Sequence, residues 1–192
     1  MTPKVIFLVG AAGSGKSTVG KLISSHLKFS YLDKDVICNK FTGKLLETQG
    51  ISPNERDGCE FYQTEVMPLE YETLLEIAAD NVRNGISVIL DAPFLGYFSD
   101  EKYIQKLKEK YSWEDSTPLV LEVIVNSEVL LKRIKKRNIK RDDWKIANWD
   151  AFLESLKSRK CLWSNVEIKQ FDNSEEEIDE DKLFEIISIN SR

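Results

Sequence analysis

The chain has 192 residues, of which 42% are hydrophobic and 31% charged, with a formal net charge of -5. That is close to one domain with enough apolar mass for a full core, and the acidic balance argues against a general nucleic-acid partner. No apolar run is long enough for a membrane span, and Cys38, Cys59 and Cys161 are too far apart and too few for a disulfide framework or a zinc pattern.

The first predicted element is the apolar, β-branched run Lys4-Val5-Ile6-Phe7-Leu8-Val9, a buried strand rather than a targeting segment, so a cytoplasmic location is expected. Directly after it, Gly10-Ala11-Ala12-Gly13-Ser14-Gly15-Lys16-Ser17 fits the phosphate-binding loop pattern G-x-x-x-x-G-K-[ST] at every position. Val19, Leu22, Ile23 and Leu27 then recur at helical spacing. Strand, glycine-rich loop and helix in that order present backbone N–H groups and a helix N-terminus to phosphate oxygens. Lys16 is expected on the β- and γ-phosphates, the Ser17 hydroxyl on Mg²⁺, and Thr18 beside them. His26, the one histidine, lies further along the same helix and reads as structural.

Phe29 to Leu32 forms a second predicted strand ending at Asp33, followed by a helix from Asp35, the expected N-cap, to Lys44. Residues 48–60, with Gly50, Pro53 and Gly58, read as a loop. A long helix follows, with Met67, Tyr71, Leu74, Leu75, Ala78 and Val82 on one face; Pro68 starts or kinks it and Gly85 stops it. Ile86 to Leu90 is a third strand ending at Asp91, and Asp100 to Lys110 a charged helix. Leu119 to Val125 is the fourth strand, and a helix capped by Ser127 turns Leu130, Leu131 and Ile134 inward. Asn165 to Phe171 holds a fifth strand, and the last helix spans about 176–189 after an acidic stretch. Such βα repetition implies an α/β fold: a five-stranded parallel sheet with helices on both faces and residues 1–192 as a single domain.

In such a sheet ligands bind at the carboxyl ends of the strands. Asp33, Asp35 and Asp91 follow strands and therefore open onto the edge that carries the phosphate loop. Phosphoryl transfer needs one carboxylate to orient or deprotonate an attacking hydroxyl and another to hold Mg²⁺ directly or through water. Between Glu128 and Lys145 lie eight basic and three acidic residues. Arg133 and Arg137 share a helix face, and Arg141 follows where the chain leaves that helix. Guanidinium groups there suit a transferring phosphoryl group or the nucleotide. Tyr71, Trp149 and Trp163 read as core; Phe94 and Tyr97, just beyond Asp91, read equally as core or as an acceptor pocket.

Together these segments resemble the P-loop NTPase-fold small-molecule kinases related to nucleoside monophosphate kinases. The group includes gluconate and shikimate kinases, chloramphenicol phosphotransferase, polynucleotide 5′-kinase domains and zeta toxins. The nearest resemblance is to the broad AAA-like ATP-binding family. Leu32-Asp33-Lys34-Asp35 looks like the D-x-D of shikimate and gluconate kinases, where the second Asp contacts the acceptor hydroxyl and the first assists the metal. Val88-Ile89-Leu90-Asp91-Ala92 resembles the third strand of polynucleotide-kinase-like proteins. Leu131 to Arg137 resembles the R-x-x-x-R that opens a lid over ATP.

The resemblance implies ATP and Mg²⁺ as cofactors. Lys16, Asp35, Arg137 and Arg141 would be catalytic. Gly10, Ala11, Ala12, Gly13, Ser14, Gly15, Lys16, Ser17, Thr18 and Arg133 would bind nucleotide, and Ser17, Asp33 and Asp91 the metal. A lid is expected at about 137–145 and an acceptor-side helical insertion at about 36–84. The expected activity is transfer of the γ-phosphoryl group of ATP to a hydroxyl of a small molecule, by a monomer or homodimer. Two alternatives stay open: a nucleoside, nucleotide or nucleic-acid 5′-end kinase, and an ATP-binding regulatory or toxin-type module with little turnover. No Gly-Gly-Gly follows the third strand, and 43–68 matches none of the named enzymes, so the acceptor is unassigned.

Overall fold

The computed structural model describes residues 2–113 and 115–187, except the side chains of Asp57 and Arg141. Its elements in chain order are β1 (Lys4–Val9), α1 (Lys16–Leu27), β2 (Ser30–Asp33), α2 (Lys34–Thr48), a 3₁₀ segment (Pro53–Gly58) and a π-helical turn (Tyr62–Val66) that leads into α3 (Met67–Arg83). Then come β3 (Val88–Asp91), α4 (Tyr103–Tyr111), β4 (Thr117–Ile124), α5 (Ser127–Arg137), a 3₁₀ turn (Lys140–Asp142), α6 (Asp143–Ala147), α7 (Trp149–Lys157), β5 (Glu167–Asp172) and α8 (Glu180–Ile187).

The five strands form one all-parallel sheet in the order β2-β3-β1-β4-β5. β1 is central and covered on both faces, so its run is apolar throughout instead of alternating. Val5, Phe7 and Val9 face α3, α4 and Trp163, while Ile6 and Leu8 face Val19 and Ile23 of α1 and Leu183 and Ile187 of α8. The α3–α4 layer is rich in aromatics: Phe7, Phe94, Tyr103 and Trp163 meet with ring centroids 4.8 to 6.4 Å apart. At the sheet edges β2 is half-buried and β5 largely exposed, which matches their mixed composition.

Register decides where the site falls. Asp33 pairs with Asp91 across β2 and β3, and Asp91 pairs with Leu8 of β1. The loop after β1 and the carboxylates ending β2 and β3 therefore share one edge, as the topology requires.

Several local expectations need correction. Helix α2 starts one residue earlier than expected and runs through Gly43 to Thr48, so half of the expected 48–60 loop is 3₁₀ structure. The cap expected at Asp35 is Asp33, whose Oδ1 accepts from the Asp35 and Val36 amides at 2.9 and 3.1 Å. Ser127 is not the cap of α5; Asn126 Oδ1 accepts from Val129 N at 2.9 Å. An Asx side chain ahead of the first turn reaches those orphan amides better than one already inside the helix. Pro68 stands in the first turn of α3, directly after the π-helical turn Tyr62–Val66, so the helical run is irregular where the proline enters it. Leu131 is half-buried, whereas Leu130 and Ile134 are buried. The last helix begins at Glu180, not 176, and its expected end beyond Ile187 lies outside the described residues.

Candidate active site

The phosphate loop is shaped by its glycines. Gly10 has φ 140°, and a Cβ there would lie 2.4 Å from the Val123 carbonyl oxygen. Gly15, the residue before α1, has φ 92°, and a Cβ would lie 2.3 Å from Asn173 Nδ2. Both positions exclude a side chain by conformation and by space. Gly15 offers no capping side chain, so the first amides of α1 face the cleft unblocked. Lys16 curls over the loop, its Nζ donating to the Gly10 and Ala11 carbonyls at 2.9 and 3.1 Å. Burial pushes its pKa down; Asp91, Asp35 and Asp33 oppose that shift, while Arg137 reinforces it.

Next to the lysine, Ser17 Oγ donates to Asp91 Oδ2 at 2.7 Å, and Tyr31 of β2 donates to the same oxygen at 2.5 Å. Asp33 lies beyond, with the Tyr31 hydroxyl 3.4 Å from its Oδ2 and its Oδ1 committed to capping α2. A hydroxyl and a carboxylate, both hard oxygen donors, suit Mg²⁺. Among the described residues no cluster of three His, Cys, Asp or Glu exists. The site therefore resembles those in which one or two protein oxygens and substrate phosphates share the ion.

Asp35 stands in the first turn of α2, between two cations. Lys34 Nζ lies 3.3 Å and Arg56 Nη2 3.6 Å from its Oδ1. Lys34 is itself buried and held by Glu70 of α3 at 2.5 Å. The Glu70 carboxylate also accepts from Tyr62 OH at 2.9 Å and Thr42 Oγ1 at 2.6 Å. A buried charge pair without such hydrogen bonds would be a net cost; here both carboxylate oxygens have donors. Arg56 donates to Asn39 Oδ1 at 2.7 Å and lies over the Tyr62 ring. Lys34, Arg56, Tyr62 and Glu70 were not found by sequence reading. They carry no motif of their own: Lys34 stands between the two aspartates, Arg56 in the stretch read as a loop, Tyr62 just beyond it and Glu70 within the helix pattern, so nothing local shows that they meet.

The arginines of α5 do different things. Arg133 donates to the carbonyls of Asn173 at 2.9 Å, Glu175 at 3.0 Å and Ser14 at 3.4 Å. It clamps the loop after β5 to the phosphate loop. Asn173 Nδ2 joins that clamp, donating to Ser14 O at 2.8 Å. Ser14 contributes its carbonyl; its hydroxyl is turned inside with no partner. Arg137 Nε donates to Asp142 Oδ2 at 2.5 Å, and Lys145 donates to Asp142 Oδ1 at 2.7 Å. Burial raises the Asp142 pKa, but these two bonds outweigh it and hold the carboxyl below its ordinary value. Arg137 Nη2 is buried without a hydrogen-bond partner among the described residues, an uncommon state for a guanidinium N–H. Arg141 lies in the 3₁₀ turn Lys140–Asp142, and its side chain is outside the description.

A single cleft of about 1150 Å³ joins these groups. Gly10, Ala12, Gly13, Gly15, Lys16, Ser17 and Thr18 line one end, and Asp33, Lys34, Asp35, Arg56 and Tyr62 the other. Asp91 lies on its floor, while Arg133, Arg137, Trp144, Lys145 and Arg159 close it. Phe94 belongs to the core, fully buried at φ 53°, and Tyr97 packs against that core; the flanking Pro93, Leu95 and Gly96 face the cleft instead. The Ala11 carbonyl accepts from both Lys16 Nζ and Ser14 N, and Ala11 packs against Leu130, Ile134 and Phe152.

A parallel sheet in this strand order, with a phosphate loop on its central strand, is the P-loop NTPase fold that kinases of the nucleoside monophosphate kinase-like group share, and this protein has that fold. The chain belongs to the AAA domain family, whose model matches residues 5–158. It is 26% identical over 145 residues to a shikimate kinase of Microcystis aeruginosa, covering 70% of this chain and 71% of that one. Two solved structures share the fold. One is a sugar kinase of a Janibacter species, with TM-score 0.62, 16% identity, and 100% of this chain and 97% of that chain covered. The other is a shikimate kinase of Bacteroides thetaiotaomicron, with TM-score 0.57, 18% identity, and 97% and 99% covered.

Proposed function

We propose that the protein transfers the γ-phosphoryl group of ATP to a hydroxyl of a small molecule. The observation that carries this is the continuity of one cleft from Lys16 and Ser17, through Asp91, to the half-buried carboxylate of Asp35. In this reading the phosphate loop amides and Lys16 bind the β- and γ-phosphates. Ser17 and Asp91 hold Mg²⁺, which neutralises charge on the phosphates; Asp33 caps α2 with Oδ1 and turns Oδ2 toward the same site, where it assists the metal through water. Asp35 accepts the proton of the acceptor hydroxyl, whose oxygen bonds to the γ-phosphorus as the bond to the β–γ bridging oxygen breaks and ADP leaves. The unpartnered Arg137 Nη2 supplies a donor for the transferring phosphoryl oxygens.

Residues 137–145 form the lid in this reading, with Arg137 and Lys145 clasping Asp142. The insertion at 36–84 builds the acceptor side, and its 3₁₀ segment Pro53–Gly58 meets the lid turn Lys140–Asp142 across the cleft. No described helix is long and apolar enough to cross a membrane, in keeping with a cytoplasmic enzyme.

The test is ADP release from ATP across sugars, sugar acids, nucleosides and antibiotics, with Lys16→Ala as control. Release that rises only with a sugar or sugar acid supports the reading. Transfer to a nucleoside moves the acceptor class. Tight ATP binding with no acceptor-dependent release across the panel overturns the kinase assignment.

A further inference from the structure

The Asp91 carboxylate is engaged on one oxygen only. Oδ2 accepts two hydroxyl protons, from Ser17 at 2.7 Å and Tyr31 at 2.5 Å, while Oδ1 accepts none among the described residues. Two protons fill the lone pairs of Oδ2 and leave the carboxylate one orientation. The Ser17 bond belongs to the phosphate loop; the Tyr31 bond comes from a different strand and has no place in the motif. Tyr31 reaches Asp91 because α1 makes room for it. A Cβ at Gly20 would lie 2.6 Å from Tyr31 Cε2, so the ring lies directly on the helix backbone, with the Lys21 ammonium 5.9 Å from the ring centroid.

We propose that Tyr31 is a positioning residue of the divalent-metal site: its hydroxyl locks the Asp91 carboxylate so that Oδ1 faces the ion or its water shell while Ser17 is free to bind the metal. The proposal rests on the nucleotide–metal reading above. Its physical basis is that an outer partner fixing a ligand's orientation commonly contributes 10- to 100-fold in metal affinity. The same phenol oxygen lies 3.4 Å from Asp33 Oδ2, so the capping carboxylate of α2 stands beside the same hydroxyl.

The experiment uses Mn²⁺ as a paramagnetic stand-in for Mg²⁺, titrated by electron paramagnetic resonance against the full-length protein with saturating ADP. Tyr31→Phe keeps the ring that fills the space over Gly20 and removes only the hydroxyl. The expected result is an Mn²⁺ Kd raised about 10-fold, with metal-free ADP affinity within about two-fold of wild type. An unchanged or lower Mn²⁺ Kd overturns the proposal. Absence of Mn²⁺–ADP binding by the wild-type protein overturns the nucleotide–metal reading itself, a distinct outcome. A second measurement holds even where Tyr31→Phe fails to fold. In wild-type protein the Tyr31 hydroxyl proton is expected as a slowly exchanging, low-field NMR resonance that persists in the Mg²⁺–ADP complex. Its loss on forming that complex would show that the phenol releases Asp91 when the metal arrives, and would overturn the proposal.

Discussion

The two ends of the cleft are built by opposite means. At the phosphate end, contiguous residues 10–17 make nearly everything: glycine conformations, helix amides, one lysine and one hydroxyl. At the proposed acceptor end, the carboxylate of Asp35 is held by Lys34 beside it and by Arg56 from a separate 3₁₀ segment, and Lys34 in turn is fixed by Glu70 of α3. A phosphate chain is the same ligand in every nucleotide, so backbone geometry can recognise it. An acceptor is recognised by side chains, which must be gathered from different elements and kept in place by buried partners. The phosphate end should therefore tolerate changes in packing but not in backbone, and the acceptor end the reverse.

The largest effect is expected from Lys16→Ala. A cation on the transferring phosphoryl group contributes about 10³–10⁵ in rate, so turnover should vanish in an ordinary assay while the melting temperature holds. Near-normal transfer by a folded variant would remove the phosphate end from the mechanism.

Asp35→Asn keeps the size of the side chain and should lower the rate by roughly 10²–10⁴, with ATP affinity within a few-fold. Equal loss of ATP binding would mean that the two ends are not separable.

Glu70→Ala tests the scaffold of the acceptor end. It leaves Lys34, which is 4% exposed, without its main partner and removes the acceptor of Tyr62 and Thr42. Breaking a buried pair in this way costs about 3–5 kcal/mol in urea unfolding, and the double variant Lys34→Met/Glu70→Gln should recover much of it. A loss below about 1 kcal/mol would make the network dispensable.

Asn173→Ala removes one hydrogen bond to the Ser14 carbonyl and should cost about 1 kcal/mol of stability, with a small change in nucleotide affinity. A pH titration sharpens the lid end. Because the Asp142 pKa is lowered in the folded protein, its contribution is complete above the ordinary value of 3.8 and fades as pH falls through the lowered one. Amide protection factors over 137–145, corrected for the intrinsic pH dependence of exchange, should be flat from about pH 8 to 5, fall only in stronger acid, and rise with ATP. Opening near pH 6 would assign the clasp to another group.

The sequence by itself determined the phosphate loop, the central strands and the carboxylates that close β2 and β3, because each is written in a few consecutive residues whose periodicity or backbone demand is local. It also placed Arg133 and Arg137 on one helix face. Tertiary structure decided what those groups touch. Arg133 reaches Ser14 across 119 positions, and Asn173 reaches the same carbonyl across 159. The cap moved from Asp35 to Asp33 on the strength of two amide bonds, and Phe94 went to the core because its aromatic neighbours surround it. Lys34 and Glu70, 36 positions apart, carry no local signature of pairing; they meet only when α2 and α3 pack. A charge expresses its role only through what desolvates and partners it, and that is a property of the folded arrangement rather than of any stretch of chain.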